Sequence, residues 1–253
     1  SVMVVGFVNS GMMKVRQAIN IVMGAILGTS ITGWVLCLSE LGGSGAGWTE
    51  LFSTATLTGV ISIVGIVLRM FSKSQTKQHI GDILMGFAVL MFGMSTMSDS
   101  VAPLRESPFF IEFMMKLSNP LLGILFGAIF TAVIQSASAA VGIVQALAST
   151  GVIDFATALP VIMGIAIGAA VPVLLSALGA NLNGKRTAFV YLLIDVLGVV
   201  IWATVFYGLN AALHFPFLTD TMTAVSIALM NTLFRLATLV VLFPLIGAME
   251  RLV

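Results

Sequence analysis

Five residues in the middle of an otherwise apolar stretch, Gln135-Ser136-Ala137-Ser138-Ala139, form a polar knot. In lipid, backbone groups freed where a helix breaks find no hydrogen bonds unless the protein supplies them. Amide and hydroxyl side chains at such a break can serve the backbone, a bound ion, or both. Half-helix N-termini attract anions, whereas carbonyls and hydroxyls suit a sodium ion. A second cluster, Thr29, Ser30 and Thr32, follows Gly24 and Gly28. Two glycines near mid-helix loosen it or permit close packing. The hydroxyls after them either line the resulting gap or bond back to the preceding turn. Asp195 and Arg235 each lie deep inside an apolar segment. A charge at the bilayer centre costs about 2.5–3.5 kcal/mol on insertion scales, so such residues are expected to face inward and be paired. A mutual salt bridge is expected, either purely structural or touching a solute.

The remaining reactive residue types form no constellation. Cys37 is alone and inside an apolar run, and His79 and His214 have no acidic or cysteine cluster near them. No metal site and no nucleophile-base pair is visible, so an enzyme is not expected, and no cofactor is implied.

These residues must be positioned by apolar helices. The 253 residues are 59% hydrophobic and only 8% charged, with a mean hydropathy of +1.13. A soluble domain carries about a quarter of its residues as charge, so this is a membrane protein. A net charge of +1 points to no nucleic-acid partner. Apolar segments near 17–39, 50–71, 79–102, 155–179, 187–209 and 222–247 are each long enough to span a bilayer. The short segment 109–118 is expected to lie in the interface as an amphipathic piece. Segment 120–149 is 30 residues long, begins at Asn119-Pro120, and has the polar knot at its centre. It is either one tilted helix or two arms meeting at the knot.

The basic residues favour two arms. If 120–149 is re-entrant, Lys14, Arg16, Arg69, Lys73, Lys77, Lys185, Arg186 and Arg251 share one side, and only Arg105 and Lys116 fall on the other. Eight against two is what the positive-inside rule expects. A single crossing would split them five against five. The re-entrant reading places the C-terminus in the cytoplasm.

The chain also resembles itself. At an offset of 140, Gly11, Ala18, Met23, Gly24 and Gly28 meet Gly151, Ala158, Met163, Gly164 and Gly168. Three crossings and one hairpin separate the copies, so they point in opposite directions. We therefore expect an all-α, polytopic membrane protein with an inverted-topology repeat and re-entrant helical hairpins, an architecture of many secondary transporters. Residues 1–102 form the first repeat, 103–119 an interfacial linker, and 120–253 the second repeat. Ser1 opens into the apolar run Val2 to Val8, so the first repeat reads as truncated at its N-terminal hairpin, with a second polar knot expected just upstream.

Gln135-Ser136-Ala137-Ser138-Ala139 resembles the Q-S-S-S-A signature of the type II sodium/phosphate cotransporters, especially their bacterial branch. Gly24-Ala25-Ile26-Leu27-Gly28-Thr29-Ser30 is similar to the family's G-A-N-I-G-T-T, Asn231-Thr232-Leu233-Phe234-Arg235 to its H-T-L-F-N, and Tyr191-Leu192-Leu193-Ile194-Asp195 to H-L-L-F-N. The segment from Met97 to Asn119 resembles the bacterial linker before the second hairpin. The resemblance implies sodium-coupled symport of inorganic phosphate, or a related small anion, by alternating access. Gln135, Ser136, Ser138, Thr29, Ser30 and Thr32 would contact phosphate or sodium, with sodium at Gln135, Ser138 and Thr29. It further implies a multi-pass protein of the plasma (inner) membrane and a PhoU-like cytoplasmic domain after Val253. The chain departs from the pattern at Ile26 and Ala166 for asparagine, Ala169 and Ala170 for threonine, and Ala137 for the central serine. Asp195 and Arg235 replace the motif asparagines, an exchange that conserves net charge. A degenerate member acting as a sensor or scaffold through a cytoplasmic domain, and a passive channel, are the alternatives.

Overall fold

The computed structural model describes residues 1–37, 54–101, 103, 107–247 and 249. Among them no β-strand occurs, and eleven α-helices account for nearly everything. They are α1 (Val2–Asn9), α2 (Val15–Cys37), α3 (Thr54–Phe71), α4 (Gln75–Val101), α5 (Pro108–Leu117), α6 (Pro120–Ile134), α7 (Ala137–Ser149), α8 (Phe155–Gly168), α9 (Val171–Ser176), α10 (Leu182–Leu213) and α11 (Ala224–Leu242). Among the described residues, four stretches are long and apolar enough to cross a membrane: Val15–Cys37, Phe155–Ser176, Leu182–Leu213 and Ala224–Leu245. Of the six crossings expected from sequence, α3 and α4 are not among these four. The described apolar part of α3, Thr58–Phe71, is shorter, and α4 begins with the polar run Gln75 to His79.

Helix starts follow local chemistry. Asn119 accepts from the Leu121 and Leu122 amides, and Pro120 needs no partner for its first-turn nitrogen. Asp154, Asn181 and Thr223 cap α8, α10 and α11 in the same manner, each accepting from the amide three residues on. The Asn181 cap starts α10 five residues before the expected 187. The 155–179 segment also differs from a single helix. Pro172 has no amide to give to the Gly168 carbonyl, and the chain slackens into a turn at Ala169-Ala170 between α8 and α9.

The polar knot does break its segment: α6 ends and α7 begins on either side of Gln135-Ser136. Gln135 takes the left-handed conformation, φ 59°, one of two non-glycine residues with positive φ among those described. Ser136 caps α7 through a hydrogen bond from the Ala139 amide, 3.2 Å. Helices α6 and α8 lie in parallel at glycine distance. Gly123 faces Pro160, Gly127 faces Val161 and Ile165, and Gly168 faces Ala128 and Thr131. With the starts of α6 and α8 side by side, α7 must carry the chain back to the end where α6 began. Phe126, nine residues before the knot, accordingly shares a small cavity wall with Val144 and Leu147, five and eight residues beyond it.

Helix α11 runs antiparallel to α2. Ala224 accepts from Cys37 at 3.3 Å, Ala228 lies against Gly33, and Thr232 accepts from the Trp34 indole at 2.9 Å. The start of α8 is tied to the same end of the bundle, because Met222 donates to Ile153 and Phe155 to Asp220. The start of α2 is at the opposite end, where Asn181 bonds Asn9 twice, at 2.6 and 2.8 Å, joining α1 to α10. Thus α2 and α8, which the offset of 140 superposes, begin at opposite ends. Their preceding glycines, Gly11 and Gly151, share positive φ of 76° and 73°. Outside the bundle, Lys116 bonds Glu112 on α5 at 2.9 Å and holds that carboxyl below its usual range.

A candidate solute site at the bundle centre

Thr32 and Ser138 come together. They line one cavity of about 210 Å³ between α2, α4 and α7, whose other walls are Leu36, Leu90, Gly93, Ala139 and Gly142. Gly142 permits this approach, since a methyl group there would stand 3.1 Å from the Leu36 side chain. Gln135 is exposed at the tip of the break and Ser136 is half-buried. The Thr29 hydroxyl donates to the Ile26 carbonyl at 2.7 Å, which is the back-bonding alternative for that position.

Ser30 is 2% exposed, and its hydroxyl has no hydrogen-bond partner in the protein. The α2/α11 register puts it level with Asn231, which is 1% exposed. Asn231 Oδ1 accepts from Arg235 Nε at 3.3 Å, while its Nδ2 is unpartnered. Arg235 Nη1 stands 3.8 Å from Asp195 Oδ1, with both side chains at most 3% exposed. That separation is an ion pair and not a hydrogen bond. It leaves Asp195 Oδ2 and Arg235 Nη1 without hydrogen-bond partners. Four buried polar groups on α2, α10 and α11 therefore retain unused hydrogen-bonding capacity. Each such group costs about 1–3 kcal/mol if nothing meets it, and clusters of them mark water, ion or solute positions.

Two contributors escaped the sequence reading as site residues. Asn231 is one of them: an asparagine four residues before a buried arginine sits on the same helix face. Gln145, fully buried, was not singled out. Its Nε2 donates to the Gly33 and Ala224 carbonyls at 3.0 and 3.1 Å and lies 3.3 Å from Cys37 Sγ. One amide thus fastens α7 to α2 and α11. A glutamine alone on an apolar helical arm was the available signal, since lipid tolerates it only where it finds partners. Among the described residues, no group of His, Cys, Asp and Glu could hold a metal ion.

Comparison with known proteins adds to this geometry. The model of the Na+/Pi-cotransporter family matches residues 1–99 and 110–227. The Bacillus subtilis "Uncharacterized protein YqeW" is 25% identical over all of this chain and 76% of its own length. The Escherichia coli "Putative inorganic phosphate export protein YjbB" is 23% identical over 79% of the chain, which spans only 35% of that protein. The sheep "Sodium-dependent phosphate transport protein 2A" is 39% identical over 29% of the chain and 11% of its own length. No solved structure matches the chain significantly.

Proposed function

The chain belongs to the Na+/Pi-cotransporter family, and we propose that it carries inorganic phosphate across the plasma (inner) membrane by sodium-coupled symport with alternating access. The observation that carries this reading is the buried layer of Ser30, Asn231, Arg235 and Asp195, with unmet hydrogen bonds at mid-bundle. Donors such as Arg235 Nη1 and Asn231 Nδ2 suit an oxyanion. Thr32 and Ser138, in the wall of one cavity, carry hydroxyl oxygens of the kind that suits sodium. Gln135, Ser136 and Thr29 complete the proposed set, with sodium neutralising part of the anion's charge.

An inverted repeat with re-entrant hairpins is supported by the opposite placement of the Gly11 and Gly151 turns. It is supported also by the parallel course of α6 and α8, which returns the chain to the end it left. Cysteines placed singly at Asn119 and Gly151 in a Cys37→Ala background are then expected to react with an impermeant thiol reagent from the same face of sealed vesicles. Labelling from opposite faces would make 120–149 a crossing and remove the hairpin. The Lys14, Lys185 and Arg186 end is the cytoplasmic one on this reading, with the C-terminus on that side.

The direct test is radiolabelled phosphate flux in proteoliposomes holding the full-length protein, under sodium gradients of either sign. We expect flux that follows the gradient and falls at least tenfold in Gln135→Gly. That substitution suits the left-handed backbone better than glutamine. The relief of about 1–2 kcal/mol, less the extra chain entropy of glycine, should leave the fold no less stable. Loss of flux with an unchanged melting temperature locates the defect in the side chain. Folded native protein that moves no phosphate under either gradient overturns the reading, and a Gln135→Gly variant that transports normally removes the knot from the site.

A further inference from the structure

At the end of the bundle where α2 and α10 begin, the turn before α2 and the first residues of α10 enclose a cleft of about 450 Å³. Lys14, Arg186, Asn183, Gly11 and Met13 are among its walls, and no acidic side chain lines it. We propose that this cleft binds a phosphate-class oxyanion between Lys14 and Arg186, separately from the mid-bundle layer and whether or not the protein transports phosphate.

The charge there is uncompensated. Arg69 pairs with Asp82, Lys116 with Glu112 and Arg235 with Asp195, whereas neither Lys14 nor Arg186 has an ion-pair partner among the described residues. Arg16 and Lys185 add two further cations beside the same turn and helix start. The cleft itself is held in shape by the double bond between Asn9 and Asn181, which fixes the end of α1 against the start of α10.

The internal repeat supplies a comparison. Gly151 and Gly11 adopt the same backbone, and each is followed three residues later by the residue that precedes a long helix. In the second copy that residue is Asp154, whose carboxylate accepts from the Thr157 amide at 2.8 Å. The surrounding turn is sealed by backbone bonds from Met222 to Ile153, 2.8 Å, and from Phe155 to Asp220, 3.1 Å. In the first copy the residue is Lys14, and the turn opens onto the cleft. A cation at a helix start opposes the helix dipole, by about 0.3–1 kcal/mol in exposed cases. A bound oxyanion reverses that penalty and takes a hydrogen bond from the Asn183 amide as well. One copy is therefore acidic and closed, and the other cationic and open.

A lipid phosphodiester and free inorganic phosphate present the same group, and two arms separate them. In the first, native mass spectrometry of the full-length protein follows retention of phosphatidylglycerol against phosphatidylcholine. In the second, equilibrium dialysis of protein in phosphatidylcholine nanodiscs follows radiolabelled inorganic phosphate. The native protein is compared with Lys14→Gln/Arg186→Gln, with the charge-preserving Lys14→Arg/Arg186→Lys, and with Lys73→Gln/Lys77→Gln as a control of equal charge loss. We expect the first double variant to lose at least tenfold in affinity for one probe or for both, and the other two to stay within about threefold. Selective loss for the lipid assigns a headgroup site, and selective loss for phosphate assigns a free-anion site. An equal loss in Lys73→Gln/Lys77→Gln, or no loss for either probe, overturns the proposal. Both arms are run without sodium and read binding rather than flux, so failure here and failure of sodium-coupled transport are told apart.

Discussion

Leucine in place of Gly164 or Gly127 is expected to leave no folded protein. A first carbon added at Gly164 would fall on the Ile124 carbonyl oxygen, and one at Gly127 on the Val161 carbonyl oxygen. Both obstacles are backbone, so no rotamer change can clear them. At Gly123 the same carbon would stand 2.6 Å from the Leu117 carbonyl oxygen and 2.7 Å from two carbons of Pro160. Helices α6 and α8 would have to part along their whole contact, and dispersion between close-packed helices is what lipid cannot replace. Alanine carries that same first carbon, so Gly164→Ala should already melt well below the native protein, by more than the about 1–3 kcal/mol that overpacking usually costs. Leucine, with three more carbons in the same place, exceeds the margin of about 5–15 kcal/mol that a folded protein possesses once α6 can no longer dock on α8. Gly208→Leu is the matched control, since a first carbon there meets nothing within 4 Å. Monodisperse yield on size exclusion in detergent, with melting of the alanine variant, measures both. A Gly164→Leu protein as abundant and stable as Gly208→Leu would mean that α6 does not rest on α8.

Sequence periodicity and spacing made this pairing only half legible. Gly24 and Gly28 match Gly164 and Gly168 at the offset of 140, so spacing alone does not distinguish the two pairs. Yet the first pair faces nothing within 4 Å, and the second is pressed against α6. Residue type fixes what a glycine permits; only packing fixes whether a neighbour uses it. The helix break at the knot was readable, because polar side chains in lipid need something to bond. The left-handed turn at Gln135 was not, because glutamine has no preference for that conformation. The back-bond from Thr29 to Ile26 and the exposure of Gln135 depend on side-chain geometry that spacing does not encode. The proximity of Asp195 and Arg235 could be expected because each isolated charge is so costly in lipid. Thr32 and Ser138, 106 positions apart, met only through the α2–α7 contact that Gln145 fastens.

The buried charges give the second large effect. Asp195→Asn and Arg235→Met, made singly, are each expected to lose about 3–5 kcal/mol, because each strands one charge in a protein interior within lipid. Made together they should recover most of that loss, since two neutral side chains of similar size need no partner of opposite sign. The recovery is the signature of pairing, and a double-mutant cycle on unfolding in detergent reads it as a coupling at least as large as either single loss. The 3.8 Å separation tempers the direct attraction between Nη1 and Oδ1, so the cycle reports mainly the shared avoidance of an isolated charge. Simple additivity would show that Asp195 and Arg235 answer to different partners. Asn231 would then be the first to test, as it already accepts from Arg235 Nε. The doubly neutral protein then decides what the pair does. Phosphate flux at native level would make Asp195 and Arg235 a structural fastening of α10 to α11. A folded double variant with no flux would place the pair in the field that the solute crosses, because stability restored without transport leaves electrostatics as the property removed.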